Sequence, residues 1–346
     1  MNEDEKYMQR CLDLAQNAFG ETYPNPMVGC VIVHNGQIIG EGYHHKAGEP
    51  HAEVNAINSV KNQELLSEST LYVNLEPCAH FGKTPPCANL IVSKKLKRVM
   101  VGCIDTFSKV SGKGIEKLKN AGIEVTTNIL EKESRFLNRR FFTYHEKKRP
   151  YIILKWAQSA DGFIDKCRDE KPSEKGVRIT DDICLETSHL WRSQEQAILV
   201  GTTTAVCDNP NLTTRLVNGR NPLRLAWDLN GKIPATHNLK DDSTATVIFS
   251  NSPQKNTECT EYLQITNPEN LLQETLDYLY EKEIQSLIVE GGTKTLQTFI
   301  DADLWDEARI FTTEELFHRG VAAPIISSVN PYVERVGNAQ LSILRH

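Results

Sequence analysis

Four residues in the first hundred positions carry the chemistry of a metal: His51, Glu53, Cys78 and Cys87. His51 opens the apolar-periodic stretch Ala52–Val60, an expected helix, and Glu53 follows it by two positions. About 25 residues on, the strand-like run Thr70–Leu75 leads into Glu76-Pro77-Cys78, and Cys87 comes after eight intervening residues. Imidazole nitrogen and thiolate sulfur bind zinc readily, and a catalytic zinc keeps three protein ligands and one open position. One histidine and two cysteines meet that count. Zinc held there lowers the pKa of a water to about 7. Glu53, beside a ligand without being needed as one, is placed to carry that water's proton to a leaving amine. Taken singly, His51 reads as a helix cap and each cysteine as a small core residue; together they read as a catalytic metal site.

The elements that would position these residues alternate. Asp4–Phe19 has the spacing of an amphipathic helix, with Met8, Cys11, Leu12, Ala15 and Phe19 on one face. Val28–Val33 and Gln37–Gly42 are apolar runs joined by Asn35-Gly36, a strong hairpin signal. After them come a helix at Ala52–Val60, a strand at Thr70–Leu75, a helix at Ala88–Ser93, a strand at Arg98–Cys103, a helix at Gly114–Asn120 and a strand at Ile123–Thr127. The polar run Tyr144–Pro150, closed by proline, reads as a linker.

Beyond it the alternation restarts. Strands are expected at Tyr151–Lys155, Ala197–Gly201, Leu223–Asp228, Thr246–Ser250, Leu287–Glu290 and Glu307–Thr312. Helices are expected at Asp181–Arg192, Leu271–Lys282 and Thr293–Ala302, which favours a parallel sheet; Asn338–His346 shows no clear final strand. No G-x-G-x-x-G follows a strand, so a Rossmann dinucleotide site is not indicated. Instead Val289-Glu290-Gly291-Gly292-Thr293 turns from strand to helix through two glycines, which lets a ligand approach the backbone and reach a helix N-terminus.

At 346 residues the chain exceeds what one core usually serves. A net charge of −6 opposes extended binding to nucleic acid but leaves room for a small phosphorylated ligand. The acidic start MNEDEKYMQR is not a secretory signal, and no apolar run approaches the roughly 18–20 residues that span a bilayer. Nine cysteines, an odd and scattered set, argue for reduced thiols in the cytoplasm.

The zinc nucleobase deaminases carry H-x-E…P-C-x-x-C; here the first half matches, but eight residues separate the cysteines instead of two. With Pro24–Gly29, Gly42-Tyr43-His44, Ala47–Glu53 and above all Leu75–Cys87, the chain resembles the bifunctional riboflavin-biosynthesis deaminase/reductases of the RibD/RibG family. Downstream the resemblance continues through Arg149-Pro150-Tyr151, Lys155–Gly162, Ile179-Thr180, Ala197–Thr202, Asp208–Arg215 and the Glu290-Gly291-Gly292 run. It implies a cytidine-deaminase-like three-layer α/β/α domain at 1–146 and a dihydrofolate-reductase-like α/β domain at 149–346.

The resemblance also implies one Zn2+ per chain on His51, Cys78 and Cys87, and NADPH in the second domain. Asn25, His44, His80 and Lys83 would line the pyrimidine and phosphate pocket, with Asp105 near it. Gly201, Thr202, Thr204, Glu290, Gly291, Gly292 and Thr293 would surround NADPH. Ser159, Arg192, Asp208, Asn209, Leu212 and Arg215 would face a ribosyl phosphate, with Asp208 assisting ring opening or proton supply. Arg192 also suits a last-turn cation on its helix, and Asp208 a turn residue. The family reaction is deamination of a diaminopyrimidine ribosyl phosphate followed by reduction of the ribosyl chain, in cytoplasmic homo-oligomers, dimers or tetramers.

Two runs depart from the family pattern. Asp105-Thr106-Phe107-Ser108 replaces an Asp-Pro-Asn-Pro run, and Val177-Arg178 stands where relatives place a tryptophan before Ile-Thr. Three alternatives stay open at this level: a nucleotide or tRNA-base deaminase with an unrelated second half, a deaminase with a non-catalytic second half, and a structural zinc protein.

Overall fold

The computed structural model describes residues 1–79, 85–106, 112–166, 176–327 and 330–346. The chain forms two compact units, Met1–Lys148 and Arg149–His346.

In the first unit α1 (Glu3–Gln16) precedes a hairpin of β1 (Gly29–His34) and β2 (Gln37–Tyr43). Then come α2 (Ala52–Ser59), β3 (Thr70–Leu75), α3 (Cys87–Ser93), β4 (Arg98–Cys103), α4 (Lys113–Asn120) and β5 (Glu124–Thr126). α5 (Glu131–Leu137) and α6 (Arg139–Lys147) close the unit. A capping box starts α1: the Asn2 side chain accepts the Glu5 N–H, and the Glu5 carboxylate accepts the Asn2 N–H. Asn35 and Gly36 both take left-handed backbone, at φ 48° and 73°, as a two-residue hairpin turn demands.

The sheet runs β2-β1-β3-β4-β5, antiparallel across β2-β1-β3 and parallel across β3-β4-β5. Alternation along β1 sends Cys30 and Ile32 into a cluster with Ala56, Ile91 and Leu118, and Val31 and Val33 into one with Tyr7, Met8 and Leu14. Helices therefore cover both faces, the three-layer arrangement expected.

The second unit opens with β6 (Tyr151–Gln158), β7 (Phe163–Lys166), α7 (Asp182–Gln194), β8 (Ala197–Gly201), α8 (Thr202–Asp208) and β9 (Leu223–Trp227). It continues through β10 (Thr246–Ser250), β11 (Thr260–Gln264), α9 (Leu271–Glu281), β12 (Ser286–Glu290) and α10 (Thr293–Asp301). It ends with β13 (Glu307–Thr313), β14 (Gly320–Ala322), β15 (Tyr332–Val336) and β16 (Ala339–Arg345). Its nine-stranded sheet runs β11-β10-β9-β8-β12-β6-β13-β16-β15; all pairs are parallel except the last two. β7 and β14 make a separate two-stranded ribbon. Ile152 and Leu154 face one core and Tyr151 and Ile153 the other, so the middle of the sheet is buried on both sides. The buried Arg149 guanidinium grips the Asp306 carboxylate with two nitrogens and ties the start of β6 to that of β13.

Two expectations need correction. Tyr144–Lys147 is no linker but the end of α6, with Phe141, Phe142 and Tyr144 buried beneath its charged residues. The C-terminus does close on a strand: β16 pairs antiparallel with β13 from Ala339↔Thr313 to Arg345↔Glu307. No helix among the described residues is long and apolar enough to cross a membrane.

Candidate functional site

His51 is the extended residue before α2, Cys78 follows β3, and Cys87 is the first residue of α3. Three separate elements thus aim one donor each at a common point. His51 Nδ1 lies 3.6 Å from Cys78 Sγ and 3.3 Å from Cys87 Sγ, and the three donor atoms lie within 4.8 Å of one another. A tetrahedral zinc, with bonds of about 2.0–2.1 Å to nitrogen and about 2.3 Å to sulfur, sets nitrogen and sulfur about 3.5 Å apart. The set fits zinc. Contact with Cys87 holds the Cys78 thiol well below its usual range, and the same contact, with burial, pushes Cys87 up. Glu53, the second residue of α2, is 3% exposed; burial pushes its carboxyl up to about 7, with Cys78 adding to the rise.

Asn25 and His44 meet beside this triad. His44 Nδ1 is 3.1 Å from the Pro50 carbonyl, which only accepts, so that nitrogen carries the proton. Burial lowers the His44 pKa, which favours the neutral ring. Its Nε2, 3.0 Å from Asn25 Nδ2, then accepts, and Asn25 keeps its carbonyl oxygen for a partner. His80 and Lys83 lie outside the described residues.

Asp105 is buried, and its N–H lies 3.3 Å from Glu76 Oε2. The Glu76 carboxylate also accepts the N–H groups of Gly112 and Gly114, at 3.0 and 2.9 Å, which fixes the backbone entering α4. A side chain at position 114 would put Cβ 2.0 Å from the Pro77 carbonyl, so a glycine there lets the zinc-ligand loop close on α4.

In the second unit Arg192 is not an exposed last-turn cation. Its guanidinium meets Glu290 Oε2 at 2.9 Å, and Lys155 Nζ stands 3.8 Å from the other carboxylate oxygen. Burial alone would raise the Glu290 pKa, but the two cations overcome it and hold the carboxyl at about 2. Arg215 adds a further positive charge close enough to depress its own pKa against Arg192, although burial lowers it more. Its backbone N–H donates to His189 Nδ1 at 2.9 Å. His189 Nε2 and Arg192 Nε are buried with no hydrogen-bond partner.

The glycine turn is also in place. Gly291 has φ 120°, and a Cβ there would lie 2.8 Å from Thr204 Oγ1, which accepts the Gly292 N–H at 3.0 Å. Gly201 faces Thr295 at a spacing that excludes a side chain. The Thr202 hydroxyl donates to the Trp227 carbonyl and that of Thr293 to the Ala322 carbonyl. The glycines at 201 and 291 thus let Thr295 and Thr204 pack directly against the backbone of the turn.

Other expected contacts are already engaged within the protein. The Ser159 hydroxyl donates to Asp161 Oδ1 and accepts the Phe163 N–H. Asn209, left-handed at φ 42°, accepts the Asn238 N–H at 2.7 Å, and the Leu212 side chain is core at 1% exposure. Asp208 Oδ1 accepts the Gly176 N–H at 2.9 Å.

Sequence reasoning missed Lys155, Glu76 and Arg224. A lysine directly after Ile152-Ile153-Leu154 was the available signal for the first. Arg224 is fully buried on β9, where it donates to the Asn211, Asn238 and Thr244 carbonyls and so holds the Asp208–Leu212 loop. Arg178, at the expected tryptophan position, is exposed and pairs with Asp182.

Comparison with known proteins agrees with this two-part layout. The model described as "Cytidine and deoxycytidylate deaminase zinc-binding region" matches residues 1–103, and "RibD C-terminal domain" matches residues 150–314. The riboflavin biosynthesis protein RibD of Aquifex aeolicus is 40% identical over 327 residues, covering 92% of this chain and 89% of its own. That of Bacillus amyloliquefaciens is 37% identical, covering 94% and 88%. Among solved structures, a Thermotoga maritima diaminohydroxyphosphoribosylaminopyrimidine deaminase/5-amino-6-(5-phosphoribosylamino)uracil reductase superposes with a TM-score of 0.88 at 36% identity, covering 99% of this chain and 98% of that one. Acinetobacter baumannii RibD gives 0.86 at 31%, with the same coverage. With both halves matched in order and relatives aligned along nearly the whole length, the chain belongs to the RibD family of riboflavin biosynthesis proteins.

Proposed function

We propose that this chain performs two consecutive steps of riboflavin biosynthesis. The first unit hydrolytically deaminates 2,5-diamino-6-ribosylamino-4(3H)-pyrimidinone 5′-phosphate. The second reduces the ribosyl group of the product to ribityl with NADPH. The observation that carries the reading is the His51–Cys78–Cys87 triangle with buried Glu53 beside it, in a chain that continues into a RibD-type second half.

Zinc on the three ligands supplies an acidified water at neutral pH. Glu53, buried beside the three ligands without being one of them, is placed to accept and release a proton. It takes a proton from the water and gives it to the ring nitrogen; it then takes the hydroxyl proton of the tetrahedral carbon and passes it to the amine, which leaves as ammonia while the carbonyl forms. Asn25 offers its carbonyl oxygen to a ring-edge donor, which suits an aminopyrimidine.

In the second unit NADPH supplies the hydride. Lys155, Arg192 and Arg215 outnumber Glu290, the carboxylate that pairs with the first two, so the cluster suits the dianionic ribosyl phosphate. The unpartnered Arg192 Nε and His189 Nε2 support a polar occupant there. Gly201, Thr202, Thr204 and the Glu290–Thr293 turn receive the cofactor, and Asp208 assists ring opening. The same reading places a homo-oligomer in the cytoplasm, in keeping with eight free cysteines among the described residues.

The test is incubation of the purified protein with the diaminopyrimidine substrate, with and without NADPH, resolving products by mass. Loss of one amine without NADPH, and a gain of two hydrogens with it, is the expected result. Turnover of deoxycytidylate or a tRNA base, with none of the diaminopyrimidine, would sink the reading; deamination without NADPH oxidation would leave the second unit non-catalytic.

A further inference from the structure

Between Asn25, which meets His44, and the first residue of β1 lie Pro26, Met27 and Val28, outside the strands. Two side-chain amides hold this run. Asn138 Oδ1 accepts the Met27 N–H at 2.8 Å, and Asn138 Nδ2 donates to the Met27 carbonyl at 2.9 Å. Asn74 Nδ2 donates to the same carbonyl at 3.1 Å, and Asn74 Oδ1 accepts the Gly29 N–H at 2.8 Å. Both asparagines are buried, 2% and 0% exposed.

A primary amide offers donor and acceptor side by side, so Asn138 matches the N–H and carbonyl of one residue as a neighbouring strand would. Asn138 is also the N-cap residue of α6, where an asparagine ordinarily caps the helix; its side chain makes no capping bond and is committed to Met27 instead. Asn74 lies on β3, four residues before Cys78, so one strand end serves both the loop and a zinc ligand. Buried amides bonded through both oxygen and nitrogen are costly to disturb, which holds the loop in place.

We infer that Asn138 and Asn74 are positioning residues for deamination: by holding Met27 and Gly29 they set where Asn25 stands against His44 and the zinc ligands. The inference rests on Asn25 being a pyrimidine contact, as proposed above. Neither asparagine touches the triad, and both act through backbone.

The test uses the full chain with zinc and compares Asn138→Asp with wild type. Aspartate keeps an acceptor for the Met27 N–H but turns an oxygen on the Met27 carbonyl. Deamination kcat/KM should fall on the order of tenfold to a hundredfold, while zinc content and NADPH-dependent reduction by the same chain stay at wild-type levels. In an Asn25→Ala background the same change should cost almost nothing further, because the residue it positions is gone. An equal loss in both backgrounds overturns the inference, as does unchanged deamination in the single variant.

Backbone amide exchange gives a readout without turnover: protection should drop at residues 27–29 and persist in β3 and β4. Unchanged protection there, or loss throughout the unit, also overturns the inference. Wild type inactive on the diaminopyrimidine sinks the proposed reaction, and the exchange result still decides the clamp. Asn74→Asp, which retains the Gly29 acceptor, repeats the test should Asn138→Asp not fold.

Discussion

The sites of the two units are built from different materials. In the first, three donor atoms within 4.8 Å of one another do the work, and two short motifs supply them. In the second, the proposed site draws Lys155 from β6, Arg192 from α7, Arg215 from a loop and Glu290 from β12, next to the turn at Gly291 and Gly292. A metal demands particular atoms at fixed distances, so residue type and spacing reveal it. A phosphate pocket demands net charge and shape, which many of the 39 lysines and arginines satisfy on paper and which only the fold selects.

If the sites are independent in this way, each can be damaged alone. Glu53→Gln should lower deamination on the order of 10²–10⁴-fold, with zinc retained by metal analysis and reduction of the deaminated intermediate untouched. Matching losses in both reactions would break the comparison.

Arg192→Met leaves Glu290 facing Lys155 alone in a buried site. It should destabilise the second unit by roughly 3–5 kcal/mol, read as a lower calorimetric transition, while deamination at 25 °C persists.

Acid should reach the second unit in two windows. Burial, then Arg192 and Arg215, push His189 down to about 4 from an ordinary 6.5, so its contribution is whole above pH 6.5 and is lost as pH falls toward 4. Glu290, held at about 2 against an ordinary 4.5, contributes fully above pH 4.5 and loses that contribution as pH falls through 2. Each window is worth on the order of 3 kcal/mol at most. Burial also pushes His145 in the first unit down to about 4, so the upper window should appear in both units. Denaturant midpoints measured against pH check this, and His189→Asn should flatten the upper step in the second unit only.

The smallest effect belongs to the glycine turn. Gly291→Ala places a Cβ at φ 120° and 2.8 Å from Thr204 Oγ1, costing roughly 1–3 kcal/mol. NADPH titration should show weaker binding, with deamination unchanged.

What was legible in the sequence follows the same division. The hairpin at Asn35-Gly36 and the alternating strands of both sheets carry local signals, and the structure has them. α6 was hidden because Arg139, Arg140, His145, Glu146 and Lys147 give it a linker's polarity, although Phe141, Phe142 and Tyr144 turn inward. β16 was hidden because its partner, β13, is about 30 residues away in sequence and its alternation slips at the adjacent apolar pair Ile343-Leu344. The clustering of His51, Cys78 and Cys87 was readable from residue types and motif, and the structure brings the three together. Lys155 and Arg224 were not, since a buried cation is recognised only by the partners that surround it, and those come from distant elements.

The two-point grip of Asn138 on Met27 spans 111 residues of chain. During synthesis, a nascent chain that has emerged only to residue 103, where the zinc-region match ends, already holds all three ligands and Glu53. It still lacks the amide that closes the loop bearing Asn25. The loop of Cys78 must still wait for the backbone entering α4, which Glu76 holds, and the loop bearing Asn25 is finished only when the last two helices of the unit arrive.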